Sequence, residues 1–364
     1  MDLPTPDTLF AGGSTPGVKP RVKLEKGAAP GAGGGFGGEL LSAAASAVGL
    51  NAAQADPLTD SLGSLDIHLV AAPGLSTCRL RFLPRSDFPA LAPGDALTVK
   101  LGNGSDPVPV FVGSVARVTG GGAMLDVLLA AQSAKFARIR RNSGYESQGF
   151  AKLLKAWAGE AGVTPGKIDD GPDYAFFAID DRLSLWDWIA RVARHADVPA
   201  WVDAAGQLNG TKPAGQPVAS FRWGETILAL DAHARDPVIT AAHIVGEGSA
   251  GRQGSDAWSW LAKDPQGVSA SAGSGPAGAV EQEGGLRDMA SIAAAALGAA
   301  AGSARIADMV EVRVPGTPAL DVASLFTLAG CPRGEGDGNW AAVTVQHHFS
   351  PRRGFVTVVQ GVKP

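Results

Sequence analysis

Short runs of alternating apolar and polar residues, each closed off by glycine or proline, constrain this chain more than any other feature. The alternation is clearest at Leu80 and Phe82 and at Leu97, Val99 and Leu101, with turns at Pro73 and Gly74, at Pro93 and Gly94, and over residues 102–104. Successive side chains of a strand point to opposite faces, so such runs bury one face and wet the other. The 364 residues include 49 Gly and 25 Pro, which cut the sequence into strand-length pieces. Five or more such pieces between residues 65 and 132 point to an antiparallel barrel or sandwich.

The order of the parts adds to this. A strand is expected at 18–26, followed by a glycine-rich stretch and a short weak helix at 39–50. Residues 27–64 therefore read as an insertion in the first β-unit. A basic connector leads to a helix at 147–161, whose stripe is Phe150, Leu153, Leu154, Trp157 and Ala161, with Gly162 at its left-handed end. A strand at 174–180 follows. Ser184 then caps a second helix, with Asp187 in its first turn and a stripe of Leu185, Trp188, Ile189, Val192 and Ala196. A hairpin turning at Ala205 and Gly206 closes this piece. Strands resume at 218, residues 248–285 read as a polar loop, and an alanine-rich helix at 286–305 precedes the last strands. The fold class is mainly β with an α/β insert: a β-domain at 1–135, a helix–strand–helix–hairpin domain at 136–215, and a second β-domain at 216–364 that carries the long loop and helix at 249–305.

Several function classes fall away on residue chemistry. A formal net charge of −4 gives no reason to expect nucleic-acid binding. The first residues have neither a basic nor an apolar leader region, and the longest apolar stretch, at 292–301, is too short to span a bilayer. Folding in a cytoplasm is expected. Cys78 and Cys331 are too few for a disulfide framework or a zinc site. His347 and His348 are adjacent on a strand and point apart, so they cannot readily share a metal. His195 reads as a helix-end cap. The acid pairs Asp169/Asp170 and Asp180/Asp181 diverge, and residues 33–38 lack the lysine and serine of a phosphate loop. The reading is a non-enzyme without cofactor or metal. Trp186 and Trp188 are expected in the core. Trp258, Trp260 and Leu261 sit in a Gly/Ser-rich loop and are candidate partner contacts, since aromatics dominate contact energy. Arg138, Arg140 and Arg141 form a basic cluster suited to a charged subunit contact.

Three segments carry a resemblance. They are PGDALTVKLG with PVFVGSVARV (93–118), the helix–strand–helix–hairpin run at 145–208, and VTVQHHFSPRRGFVTVVQG (343–361). In that order they resemble the baseplate hub proteins of contractile tails, namely the phage late-control D proteins and the N-terminal hub part of VgrG-type spike proteins. The chain departs from that pattern in its insertions at 27–64 and 249–285. No needle follows before Pro364, so the resemblance is expected to be nearer the D type, and the piercing tip would then be a separate protein. The resemblance implies a homotrimer whose two tube-like antiparallel β-barrels per chain form a pseudo-sixfold ring. Such a ring would adapt a hexameric tail tube to a trimeric central spike, beside other baseplate proteins, in a virion or injection particle. The rival readings are a receptor- or glycan-binding β-protein and a tail-associated cell-wall hydrolase.

Overall fold

The alternating runs become ladders in which one face of each strand is sealed. In the computed structural model, residues 20–27, 56–104, 106–234, 236, 239–246, 268–275 and 278–364 are described. The first β-unit comprises β1 (Pro20–Gly27), helix α1 (Pro57–Asp60), β2 (Leu62–Val70), β3 (Thr77–Phe82), β4 (Ala96–Asn103), β5 (Val108–Gly121) and β6 (Met124–Ala131). Leu97, Val99 and Leu101 of β4 are buried, whereas Lys100 turns outward and pairs with Glu25 of β1 at 2.8 Å. Arg79 and Asp126 make the same kind of cross-strand pair between β3 and β6.

The middle body follows with α2 (Ser133–Arg138), β7 (Ser143–Gly149), α3 (Phe150–Ala161), β8 (Pro165–Ile168), β9 (Asp173–Ile179), α4 (Leu185–His195), β10 (Ala200–Val202) and β11 (Leu208–Gly210). Helix α3 ends on Gly162 at φ 60°, and α4 starts in a reciprocal capping box between Ser184 and Asp187. The apolar stripes of both helices face one core, which includes Trp157, Trp186 and Trp188. Helix α3 begins at Phe150, the first residue of its stripe, rather than at the expected residue 147. Residues 143–149 pair with β9 instead, and Ser147 takes a left-handed φ of 50°, which no helix accommodates.

The second β-unit holds β12 (Ala219–Arg222), β13 (Ala229–Ala234), β14 (Ala241–Val245), β15 (Ser269–Gly273), β16 (Gly278–Gln282), α5 (Met289–Arg305), β17 (Asp308–Pro315), β18 (Leu325–Ala329), β19 (Gly338–Ser350) and β20 (Gly354–Val362). Residues 248–285, expected as loop, supply β15 and β16, which flank β14. Sequence order assigns α5 to this unit, but its packing joins the middle body: Ile292, Ala295 and Ala296 share a core with Phe150, Trp157 and Ile189. The reason is topological. The described residues between β13 and β17 lie off the main sheet, and an alanine face lets α5 lie close to α4. Gly298 sits against the backbone of Arg194 and His195, where an added Cβ would come within 2.7 Å of a carbonyl oxygen.

With β14–β16 set aside, the two β-units have one strand order. The first reads β2-β3-β6-β5-β4-β1 and the second β13-β17-β20-β19-β18-β12. Numbered within each unit, both are 2-3-6-5-4-1. The fifth strand carries a one-residue bulge in both, at Ala116 and at Val343. The turn into the fourth strand is also repeated. Gly94 and Asp95 exchange backbone hydrogen bonds with Val115, as Ala323 and Ser324 do with Ala342. The ladders then fix further equivalences. Val115 faces Leu129, which faces Cys78, which faces Ile67; Ala342 faces Gly361, which faces Val310, which faces Ala232. Ile67 thus corresponds to Ala232, and LDIH at 65–68 to LDAH at 230–233. One strand departs from the repeat: β1 runs antiparallel to β4, whereas β12 runs parallel to β18.

Two tube-like antiparallel β-barrels are the expectation from the resemblance. The described ladders join the two units into one twelve-stranded sheet, in which β2 pairs with β19 of the other unit rather than with β1. The Leu24 N–H is taken by Thr59 Oγ1 of α1. The repeated turn makes a prediction. Gly94 sits at φ 97°, and a Cβ there would meet nothing within 4 Å. Gly94→Ala should therefore lower stability by about 1–2 kcal/mol through backbone strain alone, read as a lower urea midpoint.

Candidate assembly surfaces

The seam between the two β-units is built by alternation on both of its strands. Leu65 and Ile67 of β2 and Val345 and His347 of β19 turn inward and are all 1% exposed or less. Asp66 and His348 lie opposite one another on the outer face, with Asp66 Oδ1 2.7 Å from His348 Nδ1. The hydrogen bond from His348 holds the Asp66 carboxyl below the ordinary aspartate value, against the opposing effect of burial. His347 is pushed down to about 4 by burial, so it stays neutral at pH 7. Its Nδ1 lies 3.0 Å from Thr357 Oγ1 and its ring stands edge-on to Phe355. The histidine pair thus divides between the two faces of the sheet, as adjacency on a strand requires. The seam makes the interiors of both β-units one hydrophobic core, from Leu24 to Val359.

A second polar cluster lies under α4. His195, expected as a helix-end cap, is fully buried: its Nδ1 is 3.0 Å from the Tyr174 hydroxyl and its Nε2 3.3 Å from Glu281 Oε1. Burial keeps the Tyr174 phenol protonated well above its usual range, and the His195 ring bridges that hydroxyl and Glu281. Burial alone would raise the Glu281 carboxyl. The hydrogen bond from His195 and the charges of His195, Arg194 and Arg191 outweigh it and bring Glu281 down to about 2. The cluster ties β16 to α4 and β9. Sequence reasoning missed it because Glu281 lies in a stretch read as loop, far along the chain from His195.

The remaining predicted residues are dispersed. Arg138 ends α2 and is exposed, Arg140 donates to the Arg182 carbonyl, and Arg141 pairs with Glu160 and the Tyr145 hydroxyl. Two of the three arginines thus have partners within their own domain. Trp258, Trp260, Leu261 and the helix expected at 39–50 lie outside the described residues. Cys78 and Cys331 are buried free thiols. Asp169 accepts from Thr211 and Lys212, and Asp180 from Arg182, so each acid serves local structure. A cleft of about 430 Å³ opens where α4 and α5 meet the end of β19; its acid, Asp197, is held by Lys212 and Arg305. Among the described residues no three His, Cys, Asp or Glu side chains are grouped to hold a metal. No helix among them is long and apolar enough to cross a membrane.

No family model and no curated protein matches this sequence. Solved structures do match it in fold. One is a 43 kDa tail protein of prophage MuSo2 from Shewanella oneidensis, with a TM-score of 0.62 and 13% identity over 83% of this chain and 94% of that one. Another is a tail protein from Neisseria meningitidis MC58, with a TM-score of 0.64 and 12% identity over 83% and 92%. A third is an E. coli component of the type VI secretion system, itself described as structurally similar to the T4 bacteriophage tail proteins gp27 and gp5. Its TM-score is 0.51, with 9% identity over 84% and 74%. At these identities the likeness is one of fold: the mainly β architecture is shared with known tail proteins.

Proposed function

We propose that this chain is a structural, non-enzymatic baseplate hub of a contractile tail or injection particle. Three copies would adapt a hexameric tail tube to a trimeric central spike. The observation that carries this reading is the internal repeat: two units with one strand order, one bulge position and one turn before the fourth strand. A threefold assembly of such a chain presents six equivalent β-units, which is how a trimer can meet a sixfold partner. The tail proteins and the secretion-system component of the same fold support it by analogy. Arg138, Arg140 and Arg141, with Trp258, Trp260 and Leu261, remain proposed contacts to tube, spike or other baseplate proteins.

The test is the native mass of the purified chain by light scattering, with negative-stain images of the same sample. Three copies in a ring with an open centre are expected. A single copy at all concentrations, with or without cell-wall-clearing activity, would overturn the hub reading.

A further inference from the structure

Within one chain, the second strand of the first unit (β2) lies along the fifth strand of the second unit (β19), past its bulge. Because the units are repeats, the chain also contains the reciprocal pair of edges, and these do not meet. Strand β13, the second strand of the second unit, is hydrogen-bonded only to β17 among the described residues. Strand β5, the fifth strand of the first unit, is accompanied by the turn into β4 only as far as Val115. Beyond its bulge, residues 117–121 pair with β6 alone among the described residues. In the seam, β18 and its turn stop at Ala342, and β2 takes the remainder of the same edge.

Exposure follows this difference. Ile67 and Leu65 are buried at the seam, whereas their equivalents Ala232 and Leu230 are only half-buried and Asp231 and His233 are exposed. Thr119 and Gly120 are exposed, whereas their equivalents Gln346 and His347 are half-buried and buried. Bare strand edges are sites where another chain adds on, and proteins cover them when they can.

We propose that the occupant is a second copy of this chain. Strand β13 of one copy adds antiparallel to the outer edge of β5 in the next, in the register of the seam. Asp66 opposite His348 then translates to Asp231 opposite Gly121, with Ala232 opposite Gly120 and His233 opposite Thr119. Each chain carries one such edge of each kind, so the contact is head-to-tail and closes only as a ring. In a three-copy ring six equivalent seams alternate, three within chains and three between them. This rests on the hub reading and deepens it, by naming the strands and the register that join the copies.

The experiment uses disulfide trapping in the full-length chain. Thr119→Cys with His233→Cys and, separately, Gly120→Cys with Ala232→Cys are oxidised and run without reductant. Adjacent antiparallel pairs alternate between the wider and the narrower spacing, so one of the two presents the closer Cβ atoms. The native thiols Cys78 and Cys331 are buried and do not compete. A covalent three-copy band is expected from at least one pair. Thr119→Cys with Ala229→Cys, about 13 Å out of register at ~3.3 Å per residue, should stay unlinked. A three-copy native mass with no link, or a link only in the shifted pair, overturns the proposed pairing and leaves the hub reading intact. A single-copy native mass with no link overturns both.

Discussion

Trp186→Ala should lower the unfolding free energy by about 3–5 kcal/mol, the usual cost of emptying a large aromatic site in a core. Trp186 is 1% exposed and its ring stacks on Phe136 of α2 at 5.6 Å. Its indole N–H donates to the Gly74 carbonyl at 2.8 Å, in the turn between β2 and β3. One side chain therefore joins α4, α2 and the first β-unit. Trp186→Phe restores most of the ring but leaves the Gly74 carbonyl without this donor, at about 1–3 kcal/mol. Urea unfolding of the three proteins should rank them wild type, then Phe, then Ala. Early proteolytic cutting next to the middle body is expected for Ala alone. Equal midpoints would mean that the middle body is not held to the first β-unit through this residue.

The second large effect is a dependence on pH. The Glu281 carboxyl sits at about 2 in the folded chain, against an ordinary value of 4.5. A carboxyl whose value falls on folding contributes stability that is complete above about 4.5 and is lost as pH falls towards 2. The gap corresponds to roughly 3–4 kcal/mol at about 1.4 kcal/mol per pH unit, and the side chain is only 19% exposed. Glu281→Gln keeps the shape and removes the charge. At pH 7 it should cost about this amount, and the difference from wild type should shrink steadily below pH 4.5 and be small near pH 2. Thermal midpoints of both proteins over that range measure it. A difference independent of pH would mean that His195, Arg194 and Arg191 gain nothing from the carboxylate.

Local chemistry explains what could be read in advance. Gly162 had to stop α3 because a left-handed residue there suits glycine, and Ser184 with Asp187 had to start α4 because their side chains cap its free N–H groups. The stripe of Leu185, Trp188, Ile189 and Val192 identified its own buried face, and the turn at Gly206 identified its hairpin. His347 and His348 divided between the faces of a strand for the same reason of spacing. These signals span a few residues, and tertiary context agreed with them.

The missed features all depend on residues far apart in the chain. LDIH and LDAH look like unrelated strand fragments until the ladders carry Ile67 and Ala232 to the same place in two repeats. His195 reads as an end cap until β16 brings Glu281 beneath it, and α5 reads as part of the last unit until the excursion between β13 and β17 lays it on α4. Sequence alone determined the strand-length pieces and the two capped helices, because periodicity and capping act over one or two turns of chain. Only the tertiary structure decided which edges meet: a strand's pairing edge is bare backbone, chemically alike at every position, and its partner is chosen by how the whole sheet closes its core.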